Sequence, residues 1–193
     1  DDHELEPRTI RQGIEMALGL AMPAAIALSV LASPIIRILF ERGAFTAADS
    51  DATAAMLGAL AIGLPGHVLV KALSPIFFAR EDTRTPMVAA AIGLIAALAG
   101  SLAFMLIGRP AGIALSVGLS GWIGAAILWL IAARRGLLCL GGAEWLRLAL
   151  ISLVALAMGI VVRLLADFLG LAIIESRLIQ VAALALVVVS GIG

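Results

Sequence analysis

Long runs without a charged residue set the terms for this chain. Met16 to Ile36, Ala52 to Val70, Met87 to Ile107 and Ala111 to Ala133 contain 21, 19, 21 and 23 residues with no Asp, Glu, Lys or Arg. A helix needs about 20 largely apolar residues to cross the hydrocarbon core of a bilayer. Leu148 to Val162 has 15 such residues, and reaches spanning length with Trp145 and the Leu164–Ala166 turn. Leu178 to Gly193 has 16 and runs to the last residue in apolar sequence. The expected fold is all-α: a polytopic membrane helix bundle of six transmembrane helices, the last of them truncated. Barrel strands would instead show alternating segments of about 10 residues, and none are found.

Composition narrows the function classes in the same direction. Apolar residues make up 63% of the chain, charged residues 13%, and the mean hydropathy is +1.16. Globular domains average about 45–50% apolar and about 25% charged. A soluble domain, a disordered chain, a collagen-like chain and a soluble nucleic-acid binder are excluded on this ground. Cys139 is the single cysteine, so no disulfide scaffold exists within the chain. Thirteen basic and thirteen acidic residues cancel, so no bulk attraction for a polyanion arises.

The polar start, Asp1 to Glu15, has neither an initiating Met nor a basic signal-peptide region. It reads as an inter-helix loop running into a helix, and the chain is expected to be a piece of a longer membrane protein. Loop arginines set the orientation. The N-terminal side would carry Arg8, Arg11, Arg80, Arg84, Arg134, Arg135 and Arg147, against Arg37, Arg42, Arg109, Arg163 and Arg177 opposite. Seven against five favours a cytoplasmic N-terminus.

Small residues suggest how the helices meet. Lipid gives helices no hydrophobic reason to associate, so close approach through Gly, Ala and Ser matters. Ala17, Ala21, Ala25, Ser29 and Ser33 repeat every four residues in the first span. Ala89, Gly93, Ala97 and Ser101 do so in the third, and Gly112, Ser116, Ser120 and Gly124 in the fourth. An alanine-rich chain also makes such stripes by chance. The last two spans are richer in Leu, Val and Ile, which predicts four close-packed helices and a looser, lipid-facing pair. Pro23, Pro34, Pro65 and Pro75 fall in the first two spans and would bend them. Static kinks are the commoner outcome, although interrupted helices also recur at transporter binding sites.

The second span carries the sharpest chemistry. Ala55, Ala59, Gly63, His67, Lys71 and Pro75 follow one another every four residues. A lysine at the centre of a span costs about 2.5–3.5 kcal/mol on insertion scales, so it should face a cavity or a partner. Snorkelling to the interface is the competing reading. Because apolar sequence continues from Ala72 to Ala79, Lys71 is expected one to two turns inside the helix. Lys71 and His67 are therefore the candidate substrate-path residues. No metal-ligand spacing, nucleophile triad or carboxylate pair stands elsewhere, so neither a cofactor, a bound metal nor an enzyme activity is expected.

Two connecting segments are distinctive. Leu39 to Thr46 reads Leu-Phe-Glu-Arg-Gly-Ala-Phe-Thr, with Asp49 shortly after. Lys71 to Pro86 reads Lys-Ala-Leu-Ser-Pro-Ile-Phe-Phe-Ala-Arg-Glu-Asp-Thr-Arg-Thr-Pro. Turn and cap chemistry explains much of both: Thr46 or Asp49 would cap one helix, Thr83 or Thr85 the next, and Pro86 suits a first turn. Together, at this separation, they resemble hallmark segments of the MurJ (MviN) family of lipid II flippases, within the MOP exporter superfamily. The resemblance covers essentially the whole chain and would correspond to the last six of that family's fourteen transmembrane helices.

The resemblance implies a fragment of a flippase that moves a lipid-linked peptidoglycan precursor across the bacterial inner membrane by alternating access. It implies a division into 1–135, four helices of the C-terminal lobe, and 136–193, two peripheral helices beside a lipid-facing groove. The implied partners are the lipid-linked precursor, membrane lipids and the missing N-terminal part of the same protein, with no nucleic acid. The family's cavity arginines lie mostly in segments absent here. Met87 to Ile107 offers only Ser101 where some members are thought to bind sodium through polar side chains. Arg37, Arg42, Arg80 and Arg84 are candidate gate residues, through ion pairs with Glu41, Glu81 or Asp82. Three other functions compete: a drug or metabolite exporter of the same superfamily, a membrane-embedded polyprenyl-phosphate enzyme, and an assembly scaffold.

Overall fold

A computed structural model describes residues 7–137 and 142–172, and these form five helices. They are α1 (Pro7–Phe40), α2 (Ala47–Phe78), α3 (Arg84–Leu106), α4 (Pro110–Arg134) and α5 (Gly142–Ala172). All five are long and apolar enough to cross a membrane, and the protein is a multi-pass membrane protein. The expected sixth span, Leu178 to Gly193, lies outside the described residues.

The helices outrun the uncharged stretches that announced them. Helix α2 continues from Val70 to Phe78, which leaves Lys71 about two turns inside its end. Pro23 and Pro34 in α1, and Pro65 and Pro75 in α2, are all accommodated within continuous helix. Burial runs opposite to a water-soluble bundle. Along α3, Leu94, Ile95, Leu98, Leu102 and Met105 are all exposed, while Ala89, Gly93 and Ala97 are buried. Large side chains turned outward suit acyl chains, and small ones turned inward let backbones approach.

Short turns make α1 to α4 successively antiparallel, so α2 and α4 run parallel; α5 runs parallel to α1, with Arg147 beside Glu15 and Gly159 beside Ile26. Side by side, the order is α5, α1, α2, α4, α3. Helix α3 meets α4 through Gly93 beneath the Ser120 carbonyl and Gly100 beneath Ser116. Helix α5 meets α1 where Gly159 faces Ile26, and Arg147 reaches Glu15 at 3.6 Å. The main apolar cluster joins Ile14 of α1, Leu73 and Phe77 of α2, Ala89 of α3 and Leu128 of α4.

Three helix ends close in the same way. Arg109 N–H reaches the Phe104 carbonyl, Leu137 N–H reaches Ala132, and Asp82 N–H reaches Phe77. This ending needs a residue in the left-handed region just past the helix, usually Gly. Gly108 (φ 70°) and Gly136 (φ 68°) serve α3 and α4, but α2 uses Glu81 at φ 57°. A side chain in that conformation costs about 1–2 kcal/mol. The turn it makes brings Asp82 over the start of α3.

Candidate functional site

The site is built on the contact between α2 and α4. Glycines make it: Gly63 lies on Gly118, and a Cβ added to Gly63 would fall on the Gly118 backbone. A Cβ on Gly66 would come within 2.6 Å of the Trp122 nitrogen, and one on Gly118 would reach the Ala59 carbonyl at 3.0 Å. With no side chains between them, each helix offers its carbonyls to the other. Trp122 Nε1–H donates to the Ile62 carbonyl at 2.9 Å. In the reverse direction, His67 Nε2 lies 3.2 Å from the Val117 carbonyl. Ser120 Oγ donates to that same carbonyl at 2.7 Å. The Ile62 bond sits beside the gap that Pro65 opens, since Pro65 has no N–H for the Ala61 carbonyl. Freed backbone groups in lipid are tolerated where a neighbouring helix answers them.

Beside this seam α2 presents an open stripe. One face of α2, at Ala54, Ala61, Pro65 and Leu69, is buried, and Gly58 on that side packs on Ser29 of α1. Another, at Gly63, Gly66 and Val70, packs on α4. Leu60, His67, Lys71, Pro75 and Phe78 are exposed between them. Lys71 has no hydrogen-bond or ion-pair partner among the described residues. The structure therefore brings both substrate-path candidates, His67 and Lys71, onto one stripe a helical turn apart.

The gate candidates separate into two ends. At one, Arg37 pairs with Asp51 at 2.8 Å and with Glu41 at 4.0 Å, all well exposed. Arg42 turns back to the Ile38 carbonyl at 3.3 Å, closing the end of its own helix. Thr46 and Asp49 form a reciprocal capping box that starts α2.

At the other end Asp82 is the hub. Its carboxylate accepts from the Thr85 hydroxyl at 2.7 Å and from the Thr85 backbone N–H at 3.0 Å. Arg135, arriving from the end of α4, donates to it at 2.6 Å. The Arg135 guanidinium also stands 6.0 Å over the Phe77 ring. The Thr85 hydroxyl, then its N–H, then Arg135 hold the Asp82 carboxyl well below the usual carboxylate range. The sequence pointed to Arg80 or Arg84 as partners of Asp82, and the structure gives Asp82 to Arg135 instead. Arg80, Glu81 and Arg84 are exposed outside this knot, with no ion pair among the described residues. Thr83 and Thr85 do not cap α3 by their own side chains; the Asp82 carboxylate does so.

Several residues of the site were not singled out from sequence. Gly66 follows Gly63 by three residues, and Gly121 follows Gly118 by three, whereas the four-residue stripes drew attention elsewhere. Arg135 counted only as a loop charge, although its place just past α4 offered a signal. Among the described residues, no group of three or more His, Cys, Asp or Glu gathers as a metal would require.

The chain is similar to known proteins in sequence and in fold. The family model described as "Lipid II flippase MurJ" matches residues 1–181. A protein of Rhizobium tropici described as a probable lipid II flippase MurJ is 42% identical over 127 residues, 66% of this chain and 24% of its own length. A lipid II flippase MurJ of Burkholderia cenocepacia is 33% identical over 138 residues, 71% of this chain and 26% of its own length. The chain thus spans about a quarter of the length of the curated relatives it matches. A solved lipid II flippase MurJ in an inward closed conformation superposes with a TM-score of 0.73 at 27% identity, over 95% of this chain and 38% of that one. Family match, relatives and fold converge: the chain belongs to the MurJ family of lipid II flippases.

Proposed function

We propose that the full-length protein containing this chain carries a lipid-linked peptidoglycan precursor between the leaflets of the bacterial inner membrane by alternating access. In this reading residues 1–135 belong to one lobe, 136–193 form a peripheral pair, and the N-terminus of the chain is cytoplasmic. The partners are the lipid-linked precursor, the surrounding lipids and the rest of the same polypeptide. The activity is transport, with no bond made or broken.

The observation that carries the proposal is Lys71: an ammonium two turns inside α2, exposed, and without an acidic partner among the described residues. A pyrophosphate crossing the bilayer loses its hydration, and an uncommitted cation within a membrane-spanning helix offsets part of the loss. In this reading the isoprenoid chain stays in lipid while the headgroup passes along the stripe that Lys71 shares with Leu60 and Phe78. Arg37 with Glu41 and Asp51 at one end, and Asp82 with Arg135 at the other, are the contacts that would yield or hold as the mouths open. The exposed Arg37 pairs are each worth about 0–1 kcal/mol, so that mouth can change state cheaply.

Reconstituting the full-length protein in vesicles with a labelled lipid II tests this. Lys71→Ala is expected to slow translocation about tenfold or more, in line with loss of a charge-assisted contact. Undiminished flipping by that variant removes Lys71 from the path.

A further inference from the structure

His67 and Lys71 share the stripe but do different work, and the geometry separates them. A carbonyl oxygen only accepts, so the 3.2 Å contact between His67 Nε2 and the Val117 carbonyl places the ring proton on Nε2. The ring is also seated by Gly121, where an added Cβ would come within 2.8 Å of His67 Cδ2 and Cγ. The edge formed by Cγ, Cδ2 and Nε2 therefore lies against α4. The opposite edge, Nδ1 and Cε1, is left on the exposed side of the ring. In the neutral imidazole with its proton on Nε2, Nδ1 carries only a lone pair.

We infer that His67 binds substrate as a hydrogen-bond acceptor through Nδ1, reading a donor group that adjoins the anion held by Lys71. The inference rests on the proposed function above and adds the chemistry of the second group. Residues four apart on a helix place their Cβ atoms about 5–6 Å apart, so the two side chains address neighbouring groups of one ligand. Lys71 offers donors and a positive charge, which suits pyrophosphate oxygens. His67 offers an acceptor, which suits a hydroxyl or amide N–H on the sugar attached to that pyrophosphate. Val117, Ser120 and Gly121 are positioning groups: they fix the tautomer and the ring plane without touching the ligand.

The experiment uses two probes with the full-length protein in nanodiscs: lipid II, and undecaprenyl pyrophosphate, which has the anion but no sugar. His67→Gln keeps a donor able to reach the Val117 carbonyl; its own acceptor, Oε1, then lies on the Cδ2 side against α4, so nothing replaces the Nδ1 acceptor. It is expected to weaken lipid II binding about three- to tenfold, the range of one hydrogen bond. Its affinity for undecaprenyl pyrophosphate is expected to stay unchanged, whereas Lys71→Ala weakens both. Wild-type affinity of His67→Gln for lipid II, or an equal loss with both probes, overturns the inference. Nitrogen NMR of the wild-type protein labelled in histidine reads the tautomer directly, and a proton on Nδ1 also overturns it. If Lys71→Ala binds both probes normally while His67→Gln still discriminates, the Lys71 path falls and the acceptor role stands. If the wild-type protein binds neither probe, both readings end.

Discussion

Helix α2 has two packed faces, and they are fastened by different means. Toward α1, its antiparallel neighbour in sequence, the contact is conventional: Ser29 Oγ bonds its own helix at Ala25 and reaches the Gly58 carbonyl only at 3.4 Å. Small apolar clusters and one exposed ion pair complete it. Toward α4, its parallel partner, backbone lies on backbone, carbonyls are bonded across the seam in both directions, and Asp82 meets Arg135 past the end. The two helices on the α1 side are joined by a six-residue turn, 41–46, which keeps their ends together at small entropic cost. No such turn joins α2 to α4. Partners distant in sequence need specific contacts where sequential neighbours need only compatible surfaces.

The largest test of that contrast is a single methyl group placed on each face. Gly63→Ala must push the α4 backbone away, and is expected to destabilise the full-length protein by about 1–3 kcal/mol in detergent unfolding. Gly58→Ala meets only the Ser29 carbonyl at 3.8 Å, an ordinary contact. Its effect should be near zero or slightly stabilising, because alanine favours helix by up to about 1 kcal/mol over glycine. Equal losses at the two positions would erase the distinction between the faces.

Acid sharpens it next. Asp82 has a lowered folded-state pKa, so its contribution is fully present above the unfolded value of about 3.9. That contribution is lost as pH falls below it toward the folded value. The unfolding temperature should therefore drop on acidification in the wild-type protein, and drop less in Asp82→Asn. A parallel fall in both proteins would show that other groups govern the acid response. The smallest expected effect lies at the opposite end: Arg37→Ala removes an exposed pair, should cost about 0–1 kcal/mol, and should matter less as salt rises. A loss larger than that of Gly63→Ala would invert the comparison.

Much of the fold was legible because the bilayer constrains sequence so strongly. Runs lacking charge announced α1 through α4 by length alone, and the shorter fifth run was extended correctly by its flanking residues. Helix ends were harder, since α1 and α2 carry charged residues well inside helical structure. Of the site, the sequence exposed Lys71 and His67, because a cation or imidazole in an apolar run stands out against its surroundings. It did not reveal Gly118 or Gly121, which look like any glycine in a chain holding 20 of them. Glu81 was also unreadable, because its left-handed backbone is imposed by the turn and not by its own preference.

The sequence by itself determined that this chain crosses a bilayer as helices, since backbone amides in lipid must bond within their own segment and the uncharged runs have the length to do so. It also placed Lys71 within a helix, since that residue follows directly on an apolar run and precedes another. Only the tertiary structure decided direction and partnership. Which way His67 turns, which nitrogen holds its proton, and which arginine answers Asp82 depend on residues 50 or more positions away. Contacts between non-sequential helices are fixed by three-dimensional proximity, and no local pattern in the chain encodes it.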